Sequence, residues 1–155
     1  WFHDRFRRAS LADLVASGQL KSEQGSPDEI QGFLAHAAQA LADAGVAGLS
    51  ASGRFEFAYT AAHALAFAAL RAHDLRPAIR PGHRAIVFLT LAQTIDAPEA
   101  LWSSLDRYHT KRNKSEYGQW VEVSAAEARD LLKLATDLRE RTMRWLKAHR
   151  HQRLG

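Results

Sequence analysis

Cysteine is absent from the 155 residues. Disulfides, thiolate metal ligands and a cysteine nucleophile are therefore excluded, and a reducing compartment is compatible with the composition. Proline (4) and glycine (9) are sparse. Together with abundant alanine, that disfavours a turn-rich sandwich or barrel and favours helices. No apolar run approaches the ~20 residues that cross a bilayer. No signal peptide is visible, although the chain opens on Trp1 rather than Met, so the expectation is a cytoplasmic protein with no membrane partner. There is no glycine-rich phosphate loop, and no two histidines stand four apart as in a helical zinc site. No metal or cofactor is expected.

What is present is the composition of a soluble globular domain, with 46% hydrophobic and 25% charged residues. The length suits one domain. Residues 26–155 are read as a helical bundle and 1–25 as an N-terminal extension and linker. Charge is uneven along the chain. Residues 1–106 carry 9 basic and 11 acidic side chains, whereas 107–155 carry 12 and 6. A polyanion partner would explain that end. So would a solvated last helix whose cations suit the C-terminal end of its macrodipole.

Hydrophobic spacing and punctuation predict the elements. Ser10 to Gly18 reads as a short helix with Ser10 as N-cap and Gly18 as its stop. Leu20–Gly25 reads as polar linker. Ser26, Pro27 and Glu29 form a start signal with a capping box, and the helix they open ends at Gly45. A long helix follows from about Ser52 to Ala72. It is apolar round most of its circumference, which implies central burial or a partner, hence a dimer. Residues 73–82 are expected as loop. His83–Ile95 is β-branched in part, but its length and spacing favour a helix. Pro98–Thr110 reads as a shorter helix with Asp96 as N-cap, Thr110–Val123 as polar connection, and Ser124 to His149 as a final helix opened by a Ser124–Glu127 capping box. The fold expected is an all-α antiparallel bundle of four to five helices with no sheet.

The segment Leu105–Tyr117 concentrates Arg107, His109, Lys111, Arg112 and Lys114, flanked by Tyr108 and Tyr117. Arginine can grip a phosphate bidentately, lysine adds a point charge and tyrosine can stack on a base. A solvated charged turn is the plain alternative. His36 and His63, on alanine-rich helices, read as core or interface residues. Trp102, Trp120 and Trp145 read as packing residues.

Three segments in order resemble the HEPN family of helical bundles. They are the alanine-rich helix from Gly53 to His73, Gly82-His83 opening the next helix, and Arg112-Asn113-Lys-Ser-Glu-Tyr117 before the last capped helix. The resemblance covers about residues 26–149. Many HEPN domains are metal-independent endoribonucleases of toxin and defence systems. Their motif is Arg, four to six residues, then His, with two copies meeting across a dimer. The resemblance implies RNA or a nucleotide as ligand, a homodimer, and Arg112 steadying a phosphate. Arg112 and Asn113 match the motif, but Tyr117 stands in place of the histidine, followed by Gly118 and Gln119. Tyrosine, with a reference pKa of ~10, is a poor base at neutral pH.

His109 is the nearest substitute base. Arg107, Lys111 and Lys114 would form a positive rim. Arg76–His83 and Arg144 with His149 or His151 also have motif-like spacings, but with 16 arginines and 8 histidines such pairs arise by chance, and they read as decoys. The candidate site is thus Arg112, Asn113, Tyr117 and His109, rimmed by Arg107, Lys111 and Lys114. The competing expectation is a non-catalytic module that holds a partner protein, such as a nucleotidyltransferase-type antitoxin.

Overall fold

The computed structural model describes residues 9–79, 86–116 and 121–149, with the backbone alone for Ser115 and Glu116. In chain order the elements are α1 (Leu11–Ala16), β1 (Leu20–Ser22), α2 (Pro27–Ala44), α3 (Ala51–Ala72), β2 (Leu75–Pro77), α4 (Ile86–Leu89), α5 (Leu91–Ile95), α6 (Glu99–Glu116) and α7 (Ala125–Ala148). Serine starts four of the helices. Ser10, Ser26, Ser50 and Ser124 each accept the backbone N–H three residues on, at 3.0–3.1 Å. This satisfies one of the donors that a helix start leaves open. The boxes of α1 and α7 close reciprocally through Asp13 and Glu127. Gly18, at φ 79°, supplies the left-handed residue that turns the chain after α1.

The fold is an all-α bundle built round α3. Its alanines 58, 61, 62, 66, 68 and 69 are fully buried, and their small side chains let α2 and α7 pack closely along it. The broad apolar circumference that suggested a dimer is met within one chain, because α2, α4, α5, α6 and α7 all contact α3. Leu14 and Leu20 join the same core, so residues 9–25 are built into the bundle.

Four expectations are corrected. A sheet exists: β1 and β2 form a short antiparallel ribbon, Leu20 opposite Pro77 and Ser22 opposite Leu75. It lies in what read as linker and loop, and it holds because Leu20 and Leu75 turn inward into the core. The expected helix over 83–95 is broken at Thr90, whose hydroxyl donates to the Ile86 carbonyl at 2.7 Å; residues 83–85 lie outside the described residues. Asp96 does not cap α6. It sits left-handed (φ 56°, ψ 35°) and closes α5, a conformation that short polar side chains tolerate. Finally, α6 runs on to Glu116, so the basic cluster lies on a helix rather than in a turn. Its residues have ordinary helix propensities, and no Gly or Pro interrupts them.

The Glu29 capping box also has a different outcome. Glu29 N–H donates to Ser26, but its carboxylate receives Arg71 Nε at 2.9 Å and Nη2 at 3.2 Å. Arg71, 2% exposed, donates further to the carbonyls of Glu23, Gln24 and Leu75. A buried cation is tolerable only when its donors are satisfied in this way. Here it ties the ribbon to α2 and α3.

Candidate nucleic-acid interface

Helical geometry divides the basic segment between two faces of α6. Arg107, Lys111 and Lys114 recur at intervals of four and three, so they share one face. They border a shallow outer groove of about 660 Å³ with Asp106, Thr110 and Val121. Lys111 pairs with Glu127 of α7. That contact and the Ser124 amide hold the Glu127 carboxyl below its ordinary value. The Arg107 guanidinium lies 5.2 Å from the ring centre of Tyr108. Tyr108 itself is no stacking platform. It is buried, edge-on to Phe55 at 5.8 Å, and its hydroxyl donates to Asp130. Burial, with Asp130 adding to it, pushes the phenol pKa up.

His109, Arg112 and Asn113 turn instead towards α3. His109 is 2% exposed. Asn113 Nδ2 lies 3.0 Å from its Nε2, and Tyr59 Oη lies 2.7 Å from its Nδ1. With the Asn113 amide donating, Nδ1 carries the proton and donates to Tyr59; the reverse tautomer needs the Asn113 amide turned over so that its oxygen accepts from Nε2–H. His109 therefore clamps α6 to α3, and its nitrogens do not face solvent as a base would. Arg112 lies over the Tyr59 ring at 4.4 Å from its centre, a cation–π contact. Its Nε lies 3.3 Å from Glu56, whose side chain is 54% exposed.

Beyond Arg112 opens a cleft of about 780 Å³ between α2, α3 and the end of β2. Tyr59, His63 and Phe67 rise along one face of α3 at intervals of four, which places their rings in a ladder. Tyr59 to His63 is 6.0 Å and His63 to Phe67 6.2 Å between ring centres. Phe33 of α2 packs against Phe67 at 5.0 Å. Arg76 stands on the β2 side, held by Glu23 at 3.2 Å, and the exposed His36 completes the wall. The described lining includes two arginines and no carboxylate. An anion with a planar ring suits such a surface, since guanidinium forks grip phosphate and aromatic faces stack on bases.

The structure thus brings Arg112, Asn113 and His109 together and sets Arg107, Lys111 and Lys114 on the adjoining face of the helix. Tyr117 lies outside the described residues, as do His83 and His151. Arg144 is exposed on α7, and His149 stacks on Trp145 at 4.1 Å. The cleft residues Phe33, Tyr59, His63, Phe67 and Arg76 were missed as a group. The interval-of-four spacing of the three α3 rings was the available signal, but it is equally the signature of a core stripe. Among the described residues, no group of three His, Asp or Glu could hold a metal ion, and no helix is long and apolar enough to cross a membrane.

No protein-family model matches the chain, and no match was found among curated proteins or among solved structures.

Proposed function

We propose that the protein binds RNA, with one nucleotide seated in the cleft between α2 and α3. The observation that carries this reading is the cleft itself: a ladder of aromatic rings bounded by Arg112 and Arg76, with no carboxylate in its described lining. The base stacks on the Phe33–Phe67 end, and the phosphate lies towards Arg112. The likeness of Arg112-Asn113 to the HEPN motif supports the same ligand class, and with it a homodimer. Binding is favoured over strand cleavage. His109, the nearest substitute base, is spent on Tyr59 and Asn113.

Fluorescence anisotropy with a labelled single-stranded RNA tests the reading. A stacked base contributes about 1–3 kcal/mol, so Phe67→Ala should weaken binding at least about fivefold, and Arg112→Ala should do likewise. Unchanged affinity in both variants would overturn the proposal and leave the partner-protein module. Incubating the same RNA with wild type and Arg112→Ala separates binding from cleavage, because strand scission lost in Arg112→Ala would make this an endoribonuclease.

A further inference from the structure

The cleft is not isolated from the outer groove. A small hollow of about 170 Å³ lies between them, bordered by Ser52, Phe55, Glu56, Lys111, Arg112 and Val121. Arg112 borders both the cleft and this hollow, and Lys111 and Val121 border both the hollow and the outer groove. The depressions therefore form one path across the C-terminal half of α6. Cations follow it in order: Arg76, Arg112, Lys111, then Arg107 and Lys114.

From this continuity we propose that the ligand is a single strand of several nucleotides, with one base in the cleft and the flanking phosphates carried over α6 into the outer groove. The inference rests on the nucleotide reading of the cleft and adds to it the ligand's length and path. Seven residues of α6 separate Arg107 from Lys114, about 10 Å along the axis. That accommodates about two successive phosphates of a single strand, matching the two exposed cations at its ends.

Carboxylates also accompany the path: Glu23 pairs with Arg76, Glu56 with Arg112 and Glu127 with Lys111, and Asp106 borders the groove. In the Arg112 and Lys111 pairs the carboxylate is the more exposed partner, at 54% and 34%, against 22% for Arg112 and 24% for Lys111. A carboxylate open to solvent is screened by water and salt, so phosphate competes for the cation it holds. Phosphate backbones bound in this way release counterions, which makes binding depend on ligand length and on salt.

The experiment compares RNA of one, two, four and eight nucleotides by competition at fixed salt, using wild type and the double variant Arg107→Ala/Lys114→Ala. Both replaced side chains are exposed, and an unchanged circular dichroism melt confirms the fold. The octamer should bind wild type at least tenfold tighter than the mononucleotide. The double variant should lose about tenfold on the octamer, with its salt slope smaller by about 1.4, and keep its mononucleotide affinity. Equal wild-type affinity for one and eight nucleotides overturns the path while leaving the cleft reading intact. Equal loss by the double variant on both lengths overturns the path as well, because a nucleotide seated in the cleft alone would not sense Arg107 or Lys114. Failure of every length to bind overturns both.

Discussion

Two arginines on neighbouring helices show how one side chain serves opposite ends. Arg71, near the C-terminus of α3, is closed off, with donors satisfied by the Glu29 carboxylate and three backbone carbonyls. Arg112, on α6, rests on the face of Tyr59 and meets one exposed glutamate at the edge of a cleft. The first cation is consumed by the fold. The second is aimed by it. Burial and partner type separate the two roles: backbone carbonyls are fixed, whereas an exposed carboxylate can be displaced by a ligand.

The comparison breaks most sharply under alanine. Arg71→Ala removes the donors of three carbonyls and frees the ribbon from α2, so it should cost about 3 kcal/mol. For a chain of this size that is a fall of about 10 °C in Tm. Arg112→Ala should cost about 1 kcal/mol, since the contacts it loses include the Glu56 pair and the Tyr59 cation–π contact at the edge of the cleft. Thermal melts of the two variants decide the matter. Similar losses in both would mean that Arg112 is structural and would undercut its assignment to a ligand site.

Tyr59→Phe sharpens the same contrast on a smaller scale. The ring under Arg112 stays, but the hydroxyl beside His109 Nδ1 goes. Leaving a buried nitrogen unpaired costs about 1–2 kcal/mol, to be read from urea unfolding. RNA affinity should change less than about twofold, because the guanidinium keeps its aromatic support. A loss of affinity as large as that of Arg112→Ala would show that the hydroxyl itself meets the ligand.

How much was legible in the sequence follows from the range of the interactions involved. Serine caps and Gly18 act within three or four residues, so the starts of α1, α2 and α7 and the end of α1 could be read directly. The ribbon could not. It depends on Leu20–Ser22 pairing with Leu75–Pro77 across more than fifty residues, and three-residue strands carry no periodic signal. Glu29 looked like half of a capping box because the motif names its nearest use, whereas the structure gives it to Arg71, 42 residues away. The cluster from Arg107 to Lys114 was visible as charge. Its division into two faces became visible only when α6 proved helical to Glu116. His109 read as a substitute base beside charged neighbours, but the fold buries it and pairs it with Tyr59 across the bundle.

The smallest expected effect concerns the outer face of α6, where Lys111 meets Glu127. The hydrogen bond from Lys111, with the Ser124 amide in second place, keeps the Glu127 carboxyl below its ordinary value. A carboxyl lowered on folding makes the unfolded chain bind more protons in acid. Its contribution is therefore complete above the unfolded carboxylate value of about 4.3 and disappears as the pH falls through the lower folded value. Lys111→Met removes the main cause and keeps the aliphatic stem. The variant should be less stable than wild type by a few tenths of a kcal/mol at pH 7, in keeping with an exposed pair. That gap should close as the pH is taken below the carboxylate range. Ser124 still caps Glu127 in the variant, so part of the acid sensitivity remains. Urea unfolding of both proteins at pH 7 and pH 3 measures the gap. If it persists at pH 3, the Lys111 ammonium stabilises the fold through something other than ionised Glu127, and the pair with Glu127 is not the source of the gap.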